Sequence, residues 1–106
     1  MTENPHDPCA TSCPVAKAAH ILDGRWTSRI VRDLLSGKKR YSELLHSLTD
    51  ISPKVLSARL NFLEQEGIVS KTTYPEIPPR TEYQLTARGE KLRAVIDAMA
   101  EFGKQR

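Results

Sequence analysis

The chain predicts a mainly α fold that carries one small β-hairpin. Three observations lead there. Apolar residues recur at spacings of three and four through most of its 106 residues, which is the period of a half-buried helix. A serine followed by proline, Ser52-Pro53, gives the clearest helix start. After Gly67 the helical period gives way to two strand-like stretches separated by a proline-rich loop.

The elements follow in order. Residues 1–12 read as a flexible arm, because Pro5 and Pro8 interrupt any helix there. The domain proper is then 13–106. Pro14 opens a first helix with an apolar stripe of Val15, Ala18, Ala19 and Leu22, and Gly24 ends it. A second helix runs from Trp26 to Leu35, with Trp26, Ile30 and Leu34 on one face and Arg25, Arg29 and Arg32 on the other. Residues 36–40 form a basic turn. A third helix covers Tyr41 to Leu48, with Ser42 as its expected cap. The fourth begins at Ser52 and turns Leu56, Leu60 and Leu63 inward, which leaves Lys54, Ser57, Ala58 and Asn61 together on the opposite face. Strands are expected at 68–74 and 80–85 around the loop Pro75–Pro79, which cannot continue a strand. Thr86 caps a last helix reaching toward Lys104, with Leu92, Val95, Ile96, Met99 and Phe102 as its apolar stripe.

A short helix, a tight turn, a second helix and a hairpin make up the winged helix-turn-helix order. In that arrangement the second helix of the pair enters the major groove of DNA. The charge distribution suits such a partner. The net charge is +3, and the segment from Arg25 to Arg40 holds six basic residues against the single acid Asp33. On the outer face of the fourth helix, Asn61 suits a bidentate contact with adenine and Ala58 a thymine methyl. Ser52, Pro53, Ser57, Lys54 and Arg59 complete the expected contact set, the last two suited to phosphates, with guanine as the alternative for either. Tyr41 is expected to offer its hydroxyl to the DNA backbone, and Arg80 to reach the minor groove or its phosphates. Glu82, beside the wing, would repel phosphate and is expected to order the hairpin instead. The partners expected are double-stranded DNA and a second copy of the chain, since the apolar stripes of the first and last helices exceed what a small core covers. Val15, Ala18, Leu92, Val95, Ile96, Met99 and Phe102 are the dimerisation set.

Other classes find less support. There is no glycine-rich phosphate loop, no obvious catalytic pair of acids and no cofactor motif, so no enzyme activity, cofactor or metal is expected. No apolar run approaches a membrane span and no targeting segment stands at the start, which leads to a cytoplasmic expectation. Cys13 precedes Pro14 at a helix start, where unpaired backbone N–H groups favour a thiolate. It is the candidate redox-sensing residue, with Cys9 as resolving thiol or bystander and a buried structural Cys13 as the alternative.

The chain resembles the HxlR-type winged-helix regulators, which are related to the MarR and ArsR types. The motifs are CPVAKA at 13–18, DGRWTSRIVRDLLSGKKRYSELLHSL at 23–48, ISPKVLSARLNFLEQEGIV at 51–69 and TYPEIPPRTEYQLTARGEKL at 73–92. The resemblance implies a wing that contacts DNA, a dimer built through the first and last helices, and repression or activation of nearby genes. It implies sensing of oxidants or electrophiles at the position of Cys13, in some members through a disulfide to the other subunit. This chain departs from the two-cysteine versions, having no cysteine in the recognition helix or beyond. A small-molecule-responsive regulator without cysteine sensing and a winged-helix protein-interaction module are the alternatives.

Overall fold

A computed structural model describes residues 13–105, so the expected arm and Cys9 lie outside the described residues. The elements are α1 (Pro14–Ile21), α2 (Thr27–Leu34), β1 (Lys39–Arg40), α3 (Tyr41–Ser47), α4 (Pro53–Gln65), β2 (Val69–Tyr74), β3 (Arg80–Leu85), α5 (Ala87–Glu90) and α6 (Arg93–Lys104). The mainly α class, the hairpin wing and the helix-turn-helix order expected from the sequence are all present.

One core holds these elements together. Ile30, Val31 and Leu34 of α2 meet Leu44 and Leu48 of the α3 segment, the row Leu56, Leu60 and Leu63 of α4, and Ile68, Val69, Tyr83 and Ile96. Ile30, Leu34, Leu56, Leu60 and Leu63, on the faces expected to turn inward, lose contact with water, at about 1.5–3 kcal/mol for each large residue fully buried. Asp33 Oδ2 accepts a hydrogen bond from the Ser47 hydroxyl at 2.7 Å, which ties α2 to α3. An Arg93 Nη2–H donates to the Leu35 carbonyl at 3.2 Å, which ties α6 to the end of α2.

Three local expectations are corrected. The basic turn at 36–40 contains a two-residue strand, β1, which pairs antiparallel with β3 (Lys39 with Tyr83, Arg40 with Glu82). The sheet therefore has three strands in the order β1-β3-β2, because β3 would otherwise present an unpaired edge. Ser42 is not the cap of α3. Arg40 occupies that position, and its N–H donates to the Glu43 carboxylate at 2.7 Å. The last helix is broken: Lys91 N–H bonds to Arg88 O and Leu92 N–H to Gly89 O, the tighter i to i−3 pattern, before α6 resumes at Arg93.

The base of the hairpin is closed by a dense hydrogen-bonded junction. Gly67 takes φ +74 after α4, a conformation available to glycine at no steric cost. The Thr86 hydroxyl donates to the Gly67 carbonyl at 2.6 Å and accepts from the Gly89 N–H at 3.0 Å. Thr86 N–H donates to Ile68 O at 2.9 Å, and Arg88 Nε–H to Glu66 O at 3.0 Å. Gly89 packs so closely that a Cβ there would collide with the Ile68 carbonyl.

Two stability predictions arise here. Gly89→Ala should destabilise the protein by at least about 1–3 kcal/mol, since the obstacle is backbone that moves only with the whole junction. A lowered denaturant midpoint with unchanged m-value would show it, and a wild-type midpoint would refute it. The second concerns alkali. Burial, then the charges of Glu64 and Tyr41, push the Tyr83 phenol above its ordinary 10.0. The folded state therefore holds this proton more tightly than the unfolded chain does, and stability should fall as pH rises above 10. Tyr83→Phe should lose less stability than wild type above that pH, and the gap between the two proteins should be constant below it.

Candidate nucleic-acid interface

The site is built on α4. The Ser52 hydroxyl accepts from Val55 N–H at 3.2 Å and Pro53 fills the first helical position, so the helix starts with one of its orphan N–H groups satisfied. Leu56, Leu60 and Leu63 are buried, and the helix period then leaves Lys54, Ser57, Ala58 and Asn61 exposed on the far side. Ser52 and Pro53 are exposed at its start. These six residues stand where the sequence reading put them, on one solvent-facing surface.

Arg59 and Tyr41 are placed differently from the rest. Arg59 is half-buried, its guanidinium 5.5 Å from the centre of the Phe62 ring. Phe62 in turn meets His20 of α1 edge-on at 5.9 Å. Tyr41 is half-buried at the start of α3, and its hydroxyl lies 3.1 Å from the Pro53 carbonyl and 3.0 Å from Ser57 Oγ. Its phenol is thus engaged with α4 within the protein, where the sequence suggested the DNA backbone.

The wing is a fully paired ladder from Val69–Leu85 to Tyr74–Arg80. At its outer end the Arg80 guanidinium lies 4.1 Å from the centre of the Tyr74 ring, its cross-strand partner. The same group is paired with Glu76 at 3.1 Å and Glu82 at 3.5 Å. Glu82 also meets Lys38 Nζ at 3.6 Å, and its side chain is only 14% exposed. The carboxylate that the sequence assigned to ordering the hairpin thus joins β3, the loop before β1 and Arg80. Arg80, 28% exposed, sits at the base of the tip between two carboxylates. The tip itself presents Glu76, Ile77, Pro78 and Pro79 to solvent.

Between the wing tip and the start of α3 lies a cleft of about 640 Å³, with Arg40, Tyr41 and Ser42 on one wall and residues 76–81 on the other. Arg40 and Ser42 are exposed there, on either side of Tyr41 in the chain, and sequence reasoning did not select them as contact residues. The basic run that contains Arg40 was the signal for it. Nothing local in the sequence marked Ser42 beyond its supposed role as a cap.

The expected dimerisation set divides. Val15 is 75% exposed and Phe102 72%, with Val95 and Met99 exposed on the same face of α6 as Phe102. Ile96 is buried in the protomer's own core at 4%, Leu92 is half-buried against that core, and Ala18 is half-buried on α1. Within the described residues α1 buries no side chain. Cys13 is half-buried just before α1. Among the described residues no group of histidine, cysteine or acidic side chains could hold a metal ion, and no helix is long and apolar enough to cross a membrane.

Comparison with known proteins gives a consistent answer. The family model described as HxlR-like helix-turn-helix matches residues 21–106. An uncharacterised HTH-type transcriptional regulator of Synechocystis sp. is 42% identical over 106 residues, covering 97% of this chain and 78% of that protein. A solved structure from Porphyromonas gingivalis W83, assigned to the MarR family of transcriptional regulators, is 42% identical with a TM-score of 0.87, covering 91% of this chain and 94% of that one. The redox regulator HypR in its oxidized form is 32% identical with a TM-score of 0.83, covering 89% of this chain and 97% of that one. The protein therefore belongs to the HxlR-like helix-turn-helix family of DNA-binding, non-enzymatic transcriptional regulators.

Proposed function

We propose that the protein binds an inverted-repeat operator as a homodimer, with α4 of each protomer in the major groove. The observation that carries this reading is the outer face of α4, where Lys54, Ser57, Ala58 and Asn61 stand exposed opposite a buried leucine row. Short polar and methyl-bearing side chains on a helix flanked by a wing match what base edges offer. Asn61 reads adenine, Ala58 touches a thymine methyl, and Lys54 neutralises phosphate. Arg59 and Arg80 contribute positive potential at the flanks, Arg80 less than its charge alone would suggest because two carboxylates already share it.

The second copy is supported by α1 and α6. An isolated helix of eight residues is far below the length that is stable in water, and among the described residues no side chain of α1 is fully buried. Val15, Val95, Met99 and Phe102 form the surface that a two-fold partner would cover. Such a dimer places its two recognition helices roughly 34 Å apart, one turn of DNA.

Lys54→Ala should weaken binding to all sequences and reduce the salt slope by about 1. Asn61→Ala should cost about 1–3 kcal/mol on the operator and flatten discrimination at one position. Fluorescence anisotropy at several salt concentrations reads both. Wild-type affinity and slope in both variants, with equal binding to every sequence tested, would favour a protein-interaction module.

A redox signal is the second reading, supported by likeness to HypR, solved in oxidized and reduced forms, and by Cys13 standing at the start of α1. The thiolate of Cys13 would attack a peroxide, giving a sulfenic acid as the O–O bond breaks and the displaced oxygen leaves as water or alcohol. A second thiol, Cys9 or Cys13 of the other protomer, would then attack that sulfur and expel water, leaving a disulfide. Operator affinity should change after peroxide or diamide treatment and the change should vanish in Cys13→Ser. Equal binding by oxidised and reduced wild-type protein, with no disulfide on non-reducing gels, would leave a small-molecule ligand as the signal.

A further inference from the structure

We propose that Tyr41 is a positioning residue for base readout: it takes the hydrogen of the Ser57 hydroxyl, so that Ser57 meets DNA as an acceptor only and selects adenine or cytosine on the strand it touches. The inference rests on reading α4 as the recognition helix, and goes beyond it by assigning the polarity of one contact and the residue that sets it.

The geometry is a three-member chain. Tyr41 Oη lies 3.1 Å from the Pro53 carbonyl and 3.0 Å from Ser57 Oγ. A phenol has one hydrogen, and a carbonyl can only accept. Both contacts are hydrogen bonds together only when the phenol donates to Pro53 and Ser57 donates to the phenol. The single hydrogen of Ser57 is then used inside the protein. Its lone pairs remain available to accept, and Ser57 is exposed on α4 between Lys54 and Asn61.

This changes what the serine can read. A free hydroxyl rotates to give or take a hydrogen and so tolerates any base edge. A serine held as acceptor is satisfied by the N6 amino group of adenine or the N4 amino group of cytosine, and faces an oxygen of like polarity at guanine O6 or thymine O4. The contacted strand should therefore be read as amino against keto. One net hydrogen bond gained or lost corresponds to about two- to tenfold in affinity.

The experiment is a selection from a randomised duplex library with the full chain as wild type, Tyr41→Phe, Ser57→Ala and Asn61→Ala, followed by affinities for single-base variants of the selected site. In wild type one column of each half-site should favour A or C over G or T by about two- to tenfold. Ser57→Ala should flatten that column. Tyr41→Phe should open it to all four bases while the column lost in Asn61→Ala stays sharp, because releasing the serine hydrogen restores its freedom to donate. A purely structural tyrosine would instead lower affinity for every sequence alike. A probe that needs no variant gives an independent reading: replacing the favoured base by the analogue without its exocyclic amino group should cost wild type the same two- to tenfold.

A preference for G or T in the Ser57 column, an unchanged column in Tyr41→Phe, or full affinity for the amino-less analogue would each overturn the proposal while the selected motif kept the recognition-helix reading intact. If wild type selects no motif at all, the recognition-helix reading fails and this inference falls with it.

Discussion

The row Leu56, Leu60 and Leu63 must leave water, and the orientation of the whole exposed face of α4 depends on that requirement. Once these three side chains enter the core beside Ile30, Leu34 and Leu44, a rigid helix of 3.6 residues per turn has no freedom left about its own axis. Lys54, Ser57, Ala58 and Asn61 are exposed because the leucines are buried. The fold therefore chooses the exposed face by hydrophobicity, and on that face Ser57 also bonds to Tyr41 at the start of α3.

The wing is oriented by a second device of another kind. Thr86 and Arg88 donate to carbonyls between α4 and β2, and the Gly89 N–H donates to the Thr86 hydroxyl, so α4 and the hairpin share one set of hydrogen bonds at their common end. A wing attached by a loose linker would lose orientation entropy on every binding event. Here that loss has been taken during folding. Farther out, Glu82 collects Lys38 and Arg80, and the ladder continues in register up to the Tyr74–Arg80 pair.

Much of this was legible in the sequence, for reasons that differ by element. α4 could be read because its cap, its proline and its leucine row are all local and all agree. The hairpin could be read because Pro75, Pro78 and Pro79 forbid anything else between two β-rich stretches. The strand β1 could not, since two residues carry no period and pair only because β3 has an edge to fill. The break between α5 and α6 was hidden because the apolar spacing of Leu92, Val95 and Ile96 runs straight across it; the cause is a change in hydrogen-bond pattern, which leaves no mark on composition. For the site, exposure of the α4 face followed from period alone. The engagement of Tyr41 with Ser57 and of Arg80 with Glu76 and Glu82 did not, because a sequence displays charges and hydroxyls without their partners. Ile96 was misread in part for the same reason: an apolar residue on a terminal helix looks alike whether its own core or another chain receives it.

The shallow seat of α1 has a consequence for how stability is distributed along the chain. α2, α3 and α4 share the buried core, and their amide hydrogens can exchange only through large openings. Among the described residues α1 has no fully buried side chain, so its backbone bonds are expected to open while the rest stays folded. A partner covering that helix, as proposed above, would add to the free energy that keeps it wound, and by mass action the gain would grow with the amount of that partner. If that partner is a second copy, the wound fraction of α1 becomes a gauge of how much of the regulator is present. The reading surface would then be equally rigid in a scarce and an abundant population, and only the segment that joins the molecules would register the difference.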